Sequence, residues 1–220
     1  MQNTAVNFPF ELATQIDVEH CRLLQPTMGM LNVQPDIVLD DASLLTSAAR
    51  SFWVELGAEF ASSSLVPSVH LPFSGLNIGS KSTSISALSF DILIAGIDAA
   101  RTIGARIAVM HSGYNPLIPA KATEKWLHSF APNFSRLLSY AEERGIIIAL
   151  ENTWEYDPKL FERIESACGT GHSYCHDIGH SHVYSHCGID EWISFFGAKT
   201  KVVHLHDNDL VEDLHLPFGS

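Results

Sequence analysis

The sequence predicts an α/β fold, a (β/α)8 barrel, on three observations. Short apolar runs rich in β-branched residues alternate with longer stretches whose apolar residues recur at three- and four-residue steps. The chain has 220 residues, 46% hydrophobic and 17% charged, which suits one such domain over residues 1–220 with a sizeable core. Five of the short runs also end in His, Glu or Asp.

Seven strands are expected, near residues 4–8, 21–32, 66–70, 106–111, 146–151, 172–177 and 200–206. Four runs define the pattern: Leu65-Val-Pro-Ser-Val-His70, Arg106-Ile-Ala-Val-Met-His111, Gly145-Ile-Ile-Ile-Ala-Leu-Glu151 and Thr200-Lys-Val-Val-His-Leu-His206. They are apolar without strict alternation, as in parallel strands covered on both faces. Helices are expected between them. Residues 43–60 read as one. Residues 84–103 carry Ile85, Leu88, Ile92, Ala95, Ala99 and Ile103 on one face, with Gly104 as the stop. Residues 121–144 carry Trp126, Phe130, Phe134, Leu137 and Ala141, and Pro132 is expected to break or kink them. Residues 157–167 open with Asp157-Pro158 as N-cap and first helical residue. A closed barrel of this kind, a TIM barrel, has eight strands. The chain is therefore expected to be truncated before strand 8, leaving an open edge that a homodimer would cover.

Composition narrows the partners. Thirteen Lys+Arg against 25 Asp+Glu give a net charge of −12, and no basic stripe is present, so nucleic acid is not an expected partner. No secretory leader pattern opens the chain, and no window reads as the ~20 apolar residues of a membrane span. A cytoplasmic protein without a membrane partner is the expectation. Cys21, Cys168, Cys175 and Cys187 show no CxxC spacing and read as reduced thiols, Cys175 as a packed one. Twelve histidines are present. His172, His176, His182 and His186 lie off the strand-end positions; the i,i+4 spacing of His182 and His186 would suit a metal on a helix, but exposed loop positions are favoured.

The chemistry lies at the strand ends. His70, His111, Glu151 and Asp177 close four of the runs and His204 stands two residues before the end of the last, and the C-terminal ends of parallel barrel strands converge on one face. Three imidazoles and two carboxylates form a donor set for zinc, manganese or cobalt. Asp177-Ile-Gly-His180 and Asp213-Leu-His215 add donors just past strand ends, for further ions or for substrate. One strand-end histidine alone is more often a hydrogen-bonded structural residue. Recurrence at equivalent positions argues for ligands, because clustered buried carboxylates demand cations. Phe73 and Trp154 follow strand ends and serve as substrate-pocket walls or as core packing.

Six segments resemble the xylose-isomerase-like TIM-barrel superfamily, which holds sugar isomerases and epimerases, inosose dehydratases and the endonuclease IV group. They are Val69-His-Leu-Pro-Phe73, Val109-Met-His-Ser-Gly113, Ala149-Leu-Glu-Asn-Thr153, His176-Asp-Ile-Gly-His180, Val203-His-Leu-His-Asp-Asn208 and Asp213-Leu-His-Leu-Pro-Phe-Gly219. The resemblance implies that Glu151, Asp177 and His204 are three of four ligands of the shared metal site. The fourth, a Glu ending strand eight, has no counterpart here. It further implies His70 and His111 as ligands of an additional metal, and His180, Asp213 and His215 as ligands of a third, so one to three divalent ions. The implied activity is a sugar or sugar-phosphate isomerase or epimerase working through an enediolate, with Glu151 moving the proton and His180 contacting a substrate hydroxyl. Two alternatives stand beside it: an endonuclease-IV-like phosphodiesterase (an AP endonuclease), and a truncated, non-catalytic family member. The acidic charge, and the lack of aromatic and Arg insertions that would open a duplex, weigh against the nuclease.

Overall fold

The computed structural model describes residues 10–169 and 172–219. Seven parallel strands form one sheet in chain order: β1 (Ala13–Asp17), β2 (Gln34–Val38), β3 (Ser68–His70), β4 (Ile107–His111), β5 (Ile147–Glu151), β6 (Ser173–Asp177) and β7 (Thr200–His204). Parallel neighbours need a crossover, and helices fill the connections. They are α1 (Cys21–Leu31), α2 (Arg50–Ser62), α3 (Thr83–Thr102), α4 (Ala120–Glu142), α5 (Lys159–Cys168), α6 (Ile178–Val183) and α7 (Ile189–Phe196). This is the TIM-barrel path, and among the described residues no eighth strand closes it.

The two-residue period of a strand sorts the side chains. Met110 on β4, Ile148 and Leu150 on β5, and Tyr174 on β6 join the large core under the helices. Their alternates Val109, Ala149 and Cys175 form a small separate cluster on the other face. His111, Glu151 and Asp177 lie two residues beyond those three, on the same inner face. The alternation that builds the core therefore also aims the strand-end donors inward. Burial pushes the Cys175 thiol up to about 12, in keeping with a neutral packed group.

Several elements differ from the expectation. The strand at 4–8 lies outside the described residues; the first described strand is β1. Residues 21–32 form α1 rather than a strand. Its buried Cys21 and Met28 are two helical turns apart, and Asn32, in the left-handed conformation at φ 55°, ends it. The true second strand follows at Gln34–Val38. Residues 43–49 form short 3₁₀ turns before α2 begins at Arg50. In α5 the cap is Pro158 itself, while Asp157 accepts the Lys159 amide at 2.9 Å.

Pro132 does not interrupt α4, which runs unbroken for 23 residues. Trp126, Leu127, Phe130, Phe134, Leu137 and Ala141 are buried as one stripe on either side of it, and that packing outweighs a single lost backbone bond. The buried face of α3 is the expected one only in part, at Ala99 and Ile103. Ile85 and Leu88 are exposed, while Ser86, Ser89, Leu93, Gly96, Ile97 and Ala100 are buried. Ser86 donates to the Ile78 carbonyl at 2.7 Å and Ser89 accepts the Asn77 amide at 2.9 Å, so small hydroxyls replace apolar groups there. At Gly96 a methyl would stand 2.9 Å from the Leu71 side chain, so helix and strand end meet closely. Contrary to the expectation, α3 is long and apolar enough, by composition alone, to span a membrane, with a mean hydropathy of 1.4 over its best window.

His172 and His176 are buried, not exposed. His176 lies in β6 with its ring against Phe196 at 5.5 Å and Nε2 3.0 Å from the Ser181 hydroxyl. His182 and His186 are exposed, as expected.

Candidate metal centre

Glu151 ends β5 and is 1% exposed, yet its carboxylate meets three imidazoles. Oε2 lies 3.1 Å from His70 Nε2 and 2.9 Å from His111 Nε2, and Oε1 lies 2.6 Å from His204 Nδ1. Burial raises the acid's pKa, but the His204 charge and hydrogen bonds from His111, His204 and His70 outweigh it and hold Glu151 well below the usual carboxylate range. Asp177 ends β6, fully buried. Its Oδ1 caps α6 by accepting the His180 amide at 2.7 Å, and its Oδ2 stands 3.8 Å from His204 Nδ1. Asn152 joins the two strand ends, donating to the Asp177 carbonyl at 2.9 Å and accepting the Asp177 amide at 2.8 Å. Glu155 braces the neighbouring loops, accepting from Ser112 Oγ at 2.6 Å and from the Thr153 amide at 2.7 Å.

A second group adjoins the first. Past β7 the chain doubles back, and Asp207 and Leu216 exchange both backbone hydrogen bonds at 2.8 Å. That returns Asp213 and His215 to the strand-end face. Asp213 Oδ2 lies 3.0 Å from His180 Nε2, and its Oδ1 lies 3.2 Å from His215 Nε2 and 3.5 Å from His206 Nε2. The structure thus gathers His70, His111, Glu151, Asp177, His204, His180, Asp213 and His215 on one face. Phe73 flanks them, its ring 5.0 Å from His70 and 4.7 Å from His111. Trp154 is 49% exposed, so it is not core.

The fold has known counterparts. A family model described as xylose isomerase-like TIM barrel matches residues 35–220. The chain belongs to the xylose isomerase-like TIM-barrel family. It is 27% identical over 159 residues to the uncharacterized protein MJ1311 of Methanocaldococcus jannaschii, covering 69% of this chain and 54% of that one. It is 30% identical over 156 residues to MJ1614 of the same organism, covering 69% and 59%. The match therefore spans little more than half the length of these relatives. Among solved structures, the TTHB071 protein from Thermus thermophilus, soaked with ZnCl2, superposes at a TM-score of 0.83 with 25% identity, over 96% of this chain and 83% of that one. A D-tagatose 3-epimerase-like protein superposes at 0.74 with 22% identity, over 96% and 81%.

Members of this family invite the question of whether the residues present suit a metal. Asp177 Oδ2 and Asp213 Oδ1, both in this cluster, are buried atoms without a hydrogen-bond partner, and so are Asp36 Oδ2 and His204 Nε2, 3.7 Å from each other. Each such atom costs about 1–3 kcal/mol. Cations among them would relieve several at once, so the donor set fits divalent metal. Glu151, Asp177 and His204 would hold one ion. His70 and His111 with Glu151, and the Asp213 group, supply donors for others.

Two of these side chains are not singled out by the sequence pattern. His206 follows His204 by two residues, beyond the end of β7. Asp36 on β2 is buried, with Oδ2 3.7 Å from His204 Nε2. Its place is legible only once β2 is known.

The Asp213 group predicts a pH dependence for the metal-free protein. Burial lowers the His180 pKa, but the Asp213 hydrogen bond and the charges of Asp177, Glu151 and Asp213 outweigh it and raise it to about 9. A raised histidine stabilises the fold fully below its unfolded value, about 6.5, and loses that contribution as pH climbs through the folded value. Metal-free protein is therefore expected to lose about 2–3 kcal/mol of stability between pH 6.5 and 9 on account of this group. Urea denaturation in the presence of chelator at stepped pH measures it, and His180→Asn should flatten the slope.

Proposed function

We propose that the chain is a metal-dependent sugar or sugar-phosphate isomerase or epimerase that moves a proton between carbon atoms through an enediolate. The observation that supports it best is Glu151: a buried, ionised carboxylate held among His70, His111 and His204 beside Asp177, whose own Oδ2 has no partner. A proton-transferring base must be ionised to accept, and these imidazoles keep it so. Bound by Glu151, Asp177 and His204, a divalent ion would polarise adjacent oxygens of an α-hydroxy carbonyl substrate and ease the negative charge that develops. Glu151 takes the proton from the carbon next to the carbonyl and returns it to the former carbonyl carbon on the same face of the enediolate; an epimerisation needs a second proton donor on the opposite face. His180 holds a substrate hydroxyl. Phe73 and Trp154 form apolar walls that shield the enediolate from water. Structural neighbours named as epimerases, including an L-ribulose 3-epimerase at a TM-score of 0.71 and 16% identity, are in keeping with this reading.

Ketoses and ketose phosphates incubated in D2O with the Mn2+- or Co2+-loaded chain test it. Deuterium should enter at the carbon beside the carbonyl, and chelation should stop it. The proposal fails if no ketose exchanges. If the zinc-loaded chain instead cleaves an abasic-site oligonucleotide, the phosphodiesterase reading takes its place.

A further inference from the structure

His206 is absent from the ligand set that the family resemblance implies, yet the structure builds it into the Asp213 group. The His206 side chain is 8% exposed, and its Nε2 lies 3.2 Å from Asp177 Oδ1 and 3.5 Å from Asp213 Oδ1. The ring stacks on His215 with centroids 3.9 Å apart and planes 10° from parallel. It also lies flat against Gly179, where a methyl would stand 2.0 Å from the ring. The backbone of α6 thus fixes the ring where it is. Ligand atoms of His180, His206, Asp213 and His215 all fall within 4.8 Å of one another, and Asp213 Oδ1 is buried without a hydrogen-bond partner. Three imidazole ε-nitrogens converge on one carboxylate.

We propose that His206 is a fourth protein ligand that closes this site into a His3Asp zinc centre. Four protein donors complete the tetrahedral shell zinc prefers, whereas catalytic zinc keeps one position open for water or substrate. The ion held here is therefore structural. It fastens the returning segment to β6 and α6, because His180 belongs to α6, His206 follows β7, and Asp213 and His215 lie on the returning segment. Few of that segment's own side chains are buried, so the ion supplies an anchorage the apolar core does not. The inference does not rest on the isomerase reading, and with His180 Nε2 on the ion the substrate hydroxyl of that reading falls to another group.

Cobalt substitution of the full chain tests it. Four-coordinate Co2+ absorbs strongly in the visible, and six-coordinate Co2+ weakly. Glu151→Gln, which removes the carboxylate the other candidate sites on this face share, isolates this ion: that chain should show the strong band, and azide or phosphate should leave it unchanged because no open position exists. His206→Ala and His206→Asn should weaken binding of this ion at least about tenfold and lose the strong band. Gly179→Ala keeps all four donors but displaces the ring, and should act the same way. His182→Ala, on the exposed side of α6, should leave the spectrum intact. Circular dichroism in chelator confirms that each variant folds. Limited proteolysis should cut within residues 207–216 when metal is absent and spare them when zinc is present. An unchanged ion count and band in both His206 variants would overturn the proposal, and so would a Glu151→Gln band that shifts with azide.

Discussion

Glu151→Gln is expected to lower turnover by about 10²–10⁴-fold, the contribution of a positioned proton-transfer group. The substitution preserves volume and hydrogen-bonding reach but removes the charge. It strikes three roles at once. Under the proposed mechanism it removes the base and one metal ligand, and it leaves the three imidazoles a neutral amide in place of their shared carboxylate. His204 is affected most. Burial lowers its pKa, but the Glu151 charge and hydrogen bond raise it well above the ordinary value. Without Glu151 that imidazole loses its ionised partner in the metal-free protein, and breaking a buried charge pair costs about 3–5 kcal/mol. Deuterium exchange at saturating metal and urea denaturation in chelator measure the two effects separately. Turnover within tenfold of wild type would assign the proton transfer to another group.

Phe196→Ala is expected to destabilise the fold by about 3–5 kcal/mol. Phe196 ends α7 and is 0% exposed. Its ring stacks on Tyr174 at 4.4 Å and meets Phe161 at 5.3 Å, Trp192 at 5.4 Å and His176 at 5.5 Å. A cavity at the centre of these rings cannot collapse without moving β6 or α7. Stability in domains of this kind totals only about 5–15 kcal/mol, so the loss is a large fraction of it. The effect reaches the site as well. Tyr174 and His176 cover the outer face of β6, whose inner face carries Cys175 and Asp177. A lowered urea midpoint with an unchanged m-value would confirm it. A shift below about 1 kcal/mol would mean that the aromatic cluster repacks.

The five strand-end residues are legible in the sequence because their strands are continuous runs that end abruptly in a polar donor. β1 is not: Ala13-Thr-Gln-Ile-Asp17 buries only Ile16, so it has no apolar signal. β2 carries Pro35 and Asp36, both of which argue against a strand, while the more apolar stretch before it is a helix. That exchange hides Asp36, because its inward direction follows only from a strand position. His206 is hidden for a related reason. The sequence run continues to His206, but the strand stops at His204 and the chain turns. His176 looks like one member of a histidine-rich loop, and only the aromatic residues of α7, packed against it from outside, account for its burial. The face of α3 is partly misplaced because serines and a glycine, not leucines, make the close contacts.

Anomalous diffraction from crystals of the Mn2+- or Zn2+-loaded chain tests the metal centre most directly. A peak should lie about 2.0–2.3 Å from the Glu151 and Asp177 carboxylates and His204 Nδ1. Loaded crystals that place their metal elsewhere, with Glu151 still closed upon His70, His111 and His204, would contradict it.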